Sequence, residues 1–139
     1  MDKIFKQTPD ELNWDVLASL GWKIVNGEYY NGRQLYEIRD ATNRVRGTDE
    51  GNPYARAKAL GNLPMYSMNA TMALTLLEDV EYTIAKRFEK TSQGIQRTVY
   101  NITIGADRQY KGYDDLAYAV CQAYLKWRTD TIIQEINNS

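Results

Sequence analysis

The chain has 139 residues, 43% apolar and 25% charged, and its 17 Lys+Arg against 18 Asp+Glu leave a formal net charge of −1. That length suits one compact domain, so residues 1–139 are read as a single α/β sandwich domain, and the charge balance excludes a coat for long nucleic acid, which needs a basic excess. With no histidine and Cys121 as the only cysteine, imidazole-based hydrolases, structural zinc sites, histidine-ligated metals and an internal disulfide are also excluded.

Thr8-Pro9-Asp10-Glu11 reads as a helix start: Thr8 caps, Pro9 suits the first helical position, and Glu11 completes a capping box. The helix runs to about Leu20 and stops at Gly21. Trp22-Lys23-Ile24-Val25 alternates like a strand. Asn26-Gly27 and Asn31-Gly32 are both two-residue hairpin signals, the second leading into Arg33–Arg39. Asp40–Asn43 is a further turn, with Arg44-Val45-Arg46 as a short return strand. Gly47, Gly51, Pro53, Gly61 and Pro64 mark a long surface loop with one helical turn at Tyr54–Leu60.

Ser67 caps a second predicted helix, in which Ala73, Leu76, Leu77, Val80 and Ile84 recur at helical spacing. After the break at Thr91–Gly94, Thr98–Ile104 alternates with β-branched members and reads as a strand. Gly105–Tyr113 is expected to be a connecting loop. Asp114 then caps a last helix whose apolar stripe is Leu116, Val120, Ala123 and Trp127. The order α-β-β-β-α-β-α predicts an α+β fold, an antiparallel sheet covered by helices.

No apolar run approaches the roughly 20 residues that span a bilayer. Met1-Asp2-Lys3-Ile4-Phe5-Lys6 lacks the apolar core of a signal peptide, so a cytoplasmic address is expected. Eleven tyrosines offer flat rings with a hydroxyl for stacking.

Three segments in order resemble the phage ABA sandwich domain family: Leu20-Gly21-Trp22, Leu63-Pro64-Met65-Tyr66-Ser67-Met68-Asn69, and Tyr113-Asp114-Asp115-Leu116-Ala117-Tyr118-Ala119-Val120-Cys121-Gln122-Ala123-Tyr124-Leu125. The family shows a Gly-Trp after its first helix, a Pro-x-Tyr-Ser before its second, and an Ala-(Ile/Val)-Cys-x-Ala-x-Leu pattern near its end. Size and arrangement are also similar to those of the Thoeris anti-defence sponges, phage proteins that hold glycocyclic ADP-ribose, with relatives that hold cyclic trinucleotides. The resemblance implies capture of a cyclic ADP-ribose isomer or cyclic oligonucleotide without cleavage. It also implies a homo-oligomer with pockets near subunit interfaces, in the cytoplasm of an infected or lysogenic bacterium.

Such a ligand joins a dianionic pyrophosphate to riboses and a purine, so its pocket needs cations, a stacking ring and hydroxyl partners. Gly105–Tyr113 supplies them: Arg108 to grip a pyrophosphate bidentately, Lys111 as a point charge, Tyr110 or Tyr113 as a stacking face, and Gly105 and Gly112 for close approach. The competing reading is a solvated connection. In the meander, Tyr36 shares a face with Ile38 and reads as core, whereas Arg33 and Arg39 can present cations. Tyr82, roughly 200° round the second helix from Val80, reads as an exposed stacking or interface residue or as surface decoration. Phe88 continues the Val80–Ile84 row and reads as core. Arg44, Arg46, Arg56 and Lys58 are interleaved with acids and read as a solvated loop, with Tyr54 and Arg56 as candidate lid contacts.

Cys121 reads as a small packed hydrophobe, and Asp114-Asp115 as helix-dipole partners rather than acid–base groups. No catalytic set, metal site or cofactor is expected. The enzyme alternative, a phosphodiesterase-like protein, lacks a carboxylate cluster and histidines. The other alternative is a structural or regulatory module that binds protein through its tyrosine-rich surface. Self-association is expected because Tyr118, Tyr124, Leu125, Ile132 and Ile136 add apolar surface beyond the stripe of the last helix.

Overall fold

The computed structural model describes residues 7–137; the Met1–Lys6 segment, read above as lacking a signal-peptide core, lies outside them. The fold is α+β, with four α-helices and two three-stranded antiparallel sheets. Its contacts divide into two compact units, Trp14–Pro64 and the described residues on either side of it.

Helix α1 (Pro9–Ser19) opens on the expected box. Glu11 N–H donates to Thr8 Oγ1 at 3.1 Å, and Thr8 N–H donates to Glu11 Oε1 at 3.2 Å. Gly21, at φ +101°, follows the helix and leads the chain into the sheet of the unit Trp14–Pro64. There β1 (Lys23–Tyr30), β2 (Arg33–Arg39) and β3 (Val45–Asp49) form a sheet in that order. Only one of the two hairpin signals makes a turn. Asn31 and Gly32 take φ of 52° and 77°, which the mirror-image hairpin turn requires. Asn26-Gly27 instead lies in β1, where the register with β2 shifts as in a bulge.

After β2, Asp40 organises the next turn by accepting from Thr42 N–H, Thr42 Oγ1, Arg44 N–H and Arg46 Nε. Those bonds, Thr42's first and the Arg46 guanidinium's next, hold the Asp40 carboxyl far below the usual carboxylate range. The predicted loop contains α2 (Pro53–Ala59), capped by Asn52 and packed on β3. A Cβ on Gly47 would stand 2.8 Å from Ala57 Cβ.

In the other unit the predicted second helix is corrected. A 3-10 turn (Tyr66–Met68), the short α3 (Ala70–Leu74) and a second 3-10 turn (Thr75–Leu77) replace its first part, and the chain is extended from Tyr82. The cap of α3 is Asn69, whose Oδ1 accepts from Met72 N–H; Ser67 Oγ instead donates to the Pro9 carbonyl at 2.6 Å. Strand β4 (Tyr82–Lys90) pairs with β5 (Gln96–Ile104) over nine residues without a bulge. β6 (Arg108–Tyr113) occupies most of the predicted loop and pairs with the far side of β5. Helix α4 (Leu116–Asn137) packs across β5 and β6. Its N-terminal N–H of Tyr118 is taken by Asp115 Oδ1, not by Asp114.

Cross-strand register assigns the sheet faces. Tyr82–Ile104–Arg108, Ile84–Ile102–Tyr110 and Lys86–Tyr100–Gly112 form rows on the α4 side. Ile102, Ile104, Val120, Cys121 and Ala123 are buried there. Tyr118 and Tyr124, expected at an interface, are only 5% and 6% exposed within their own chain. Phe88, expected in the core, is 59% exposed on β4.

Candidate functional site

The residues proposed from the Gly105–Tyr113 segment belong to a strand, and its alternation sends them to opposite faces. Arg108 and Tyr110 lie on the α4 side; Lys111 and Tyr113 lie on the other. Gly105 keeps a positive φ of 74° at the turn into β6. Gly112, expected to admit a ligand, admits α4 instead: a methyl there would overlap Ala119.

On the α4 side, Arg108, Tyr110, Asp130 and Gln134 surround a polar recess of about 340 Å³, with Asp107 and Gln109 at its rim. Arg108 donates from Nη2 to Gln134 Oε1 at 2.9 Å, and its Nη1 is 3.6 Å from Asp130 Oδ2. Tyr110 donates its phenolic proton to the same Asp130 oxygen at 2.9 Å. Burial, reinforced by that carboxylate, pushes the Tyr110 hydroxyl up to about 12, so it stays a donor at neutral pH. The recess thus presents one guanidinium, one phenol, two amides and two carboxylates.

Asp130 and Gln134 were missed from sequence. Their signal is the stripe of α4, where Ala123 and Trp127 are followed at three- and four-residue spacing by Asp130 and Gln134, so the face over β6 turns polar. On the face of the sheet away from α4, the Arg97 guanidinium lies 3.8 Å from the centre of the Tyr113 ring and its Nη2 is 3.3 Å from Asp114. Stacking on that ring covers Arg97 Nε, which is buried without a hydrogen-bond partner. Lys111 reaches Glu89 at 3.9 Å, and Glu89 is 3.6 Å from Arg87.

The remaining candidates stand apart from these. Arg33 belongs to the unit Trp14–Pro64, 71% exposed in its side chain, and pairs with Glu50 at 3.1 Å. Arg39 is held by Glu37 at 2.7 Å. Tyr54 meets the Trp14 ring edge-on, with ring centres 6.4 Å apart. Tyr82 opens β4, not a helix, and borders a separate 480 Å³ hollow with Val80, Glu81, Thr83, Thr103 and Gly105.

Cys121 is fully buried, and burial raises its thiol to about 12. Among the described residues no three His, Cys, Asp or Glu side chains are grouped to hold a metal ion, and no helix is long and apolar enough to cross a membrane.

Compared with family models, with curated proteins and with solved structures, the chain matches none of them.

Proposed function

We propose that the chain is a phage or prophage anti-defence protein that captures a cyclic nucleotide signal, a cyclic ADP-ribose isomer or a cyclic oligonucleotide, and returns it unchanged. The observation that carries this reading is the Arg108 recess. Its guanidinium is engaged by a neutral amide at 2.9 Å and by a carboxylate only at 3.6 Å. An incoming pyrophosphate therefore displaces weak partners and gains a charge-assisted, bidentate pair. Two carboxylates in the lining oppose a dianion, so the phosphates sit at the Arg108 edge and ribose hydroxyls donate to Asp130 and Gln134. The ordered Gly-Trp, Pro-x-Tyr-Ser and Ala-Val-Cys-x-Ala motifs support the same reading by resemblance. Binding without cleavage suits a recess whose phenol keeps its proton and a chain whose thiol is buried.

Incubation with a panel of cyclic nucleotides, heat denaturation and analysis of the supernatant tests this. Intact ligand is expected. A cleaved product would make the chain an enzyme, and no retention across the panel would leave the protein-binding reading, for which the 70% and 65% exposed Tyr29 and Tyr30 at the β1–β2 hairpin speak. Arg108→Ala is expected to weaken affinity about a hundredfold, the upper end for a hydrogen bond to a charged group. The melting midpoint should hardly move, because an exposed ion pair contributes about 0–1 kcal/mol.

A further inference from the structure

The sheet β4-β5-β6 ends at β4, a nine-residue strand that carries no proline and no bulge. Such an edge offers unpaired N–H and C=O groups to another strand. The alternative edge, β6, has six residues and lies under α4. On the α4 side of β4 the side chains are Tyr82, Ile84, Lys86 and Phe88, with Tyr82 38% and Phe88 59% exposed. The charges of this stretch are segregated. Glu78, Asp79 and Glu81 precede it, whereas Lys86, Arg87 and Lys90 close it around a single acid, Glu89.

We infer that β4 is a self-association edge, on which a second copy of this chain pairs antiparallel about a two-fold axis at Ile84. This register overlaps the five residues Tyr82–Lys86 of the two strands, placing Ile84 on its own counterpart, Thr83 opposite Ala85 and Tyr82 opposite Lys86, and it sets Glu81, just before the strand, opposite Arg87, each hetero-pair occurring twice. Residues directly opposite share a face, so Glu81 meets Arg87 on the face away from α4 and the Tyr82 ring meets the Lys86 ammonium on the α4 side.

Neighbouring registers are worse. A centre at Lys86 or Arg87 sets a cation on itself, and a centre at Ala85 sets Glu81 opposite Glu89. A centre at Phe88 sets Lys86 opposite Lys90 twice, and like charges directly opposite destabilise a sheet. Arg87 is free to take this role: its side chain is 50% exposed and its contact with Glu89 is long at 3.6 Å. Pairing extends the sheet from three strands to six and brings the half-buried Ile84 and the exposed Tyr82 beside those of the second copy. This inference is independent of the ligand reading.

The experiment is sedimentation of the full chain across a concentration series, for wild type, Glu81→Lys, Arg87→Glu and the double charge swap. Wild type is expected to dimerise. Each single reversal is expected to raise the dissociation constant about tenfold or more, as two lost ion pairs and two new repulsions imply, and the double swap to restore it. A wild type that sediments at 16.0 kDa throughout overturns the proposal, as does a dimer indifferent to single reversals or not restored by the swap. If a reversal prevents folding, wild-type amide exchange decides. Protection of β4 that rises with protein concentration supports the interface, and protection that ignores concentration overturns it. Nucleotide retention is measured separately, so failure of one reading leaves the other standing.

Discussion

At Gly112 a side chain is absent because helix α4 occupies the space: an added Cβ would stand 2.9 Å from the Cα of Ala119. Backbone cannot step aside as a flexible side chain can. Gly112→Ala is therefore expected to lower stability by about 1–3 kcal/mol, the usual range for overpacking. The urea midpoint measures it, and an unchanged midpoint would show that α4 rides higher on β6. Asp40 supports a different prediction. Its bonds to Thr42 and Arg46 depress its folded-state pKa below the ordinary aspartate value of 3.8. Its stabilisation is thus present above pH 3.8 and is lost as pH falls toward the folded-state value. Asp40→Asn should reduce the melting midpoint at pH 7 and flatten its decline below pH 4. A decline as steep as in wild type would assign the acid sensitivity to other carboxylates.

Elements differ in how much of them is written locally. Helix α1 carries its own start signal, and Thr8→Ala is expected to cost about 1 kcal/mol by removing the cap, read from the thermal midpoint; no loss would mean that water replaces it. β5 is equally legible, because its β-branched residues alternate. β4 is not. Leu76, Val80 and Ile84 recur every fourth residue like a helix, while Tyr82, Ile84 and Phe88 alternate like a strand, and the nine-residue pairing with β5 decides between them. β6 is less legible still. Its inward positions are Arg108, Tyr110 and Gly112, two polar groups satisfied by Asp130 and Gln134 and one glycine fitted to Ala119. No apolar alternation exists there to betray a strand. The same fact explains why Arg108 and Tyr110 could be nominated from sequence while the residues that hold them could not.

At the scale of the whole molecule, a net charge of −1 leaves little long-range repulsion between copies, so association is governed by where charges sit rather than by their sum. Among the described residues the carboxylates are spread without a metal-holding cluster. Nucleotide retention is accordingly expected to be unchanged in excess chelator, and its abolition would point to a bridging cation. Cys121 has a consequence of a practical kind. A fully buried thiol whose burial pushes it up to about 12 presents almost no thiolate near neutral pH, and thiolate is the reactive species. The folded chain is in effect a cysteine-free background on which a single engineered thiol, placed for instance at Phe88, can be labelled with a maleimide alone. The native thiol then becomes a clock, since the rate at which it is alkylated reports how often the fold around it opens.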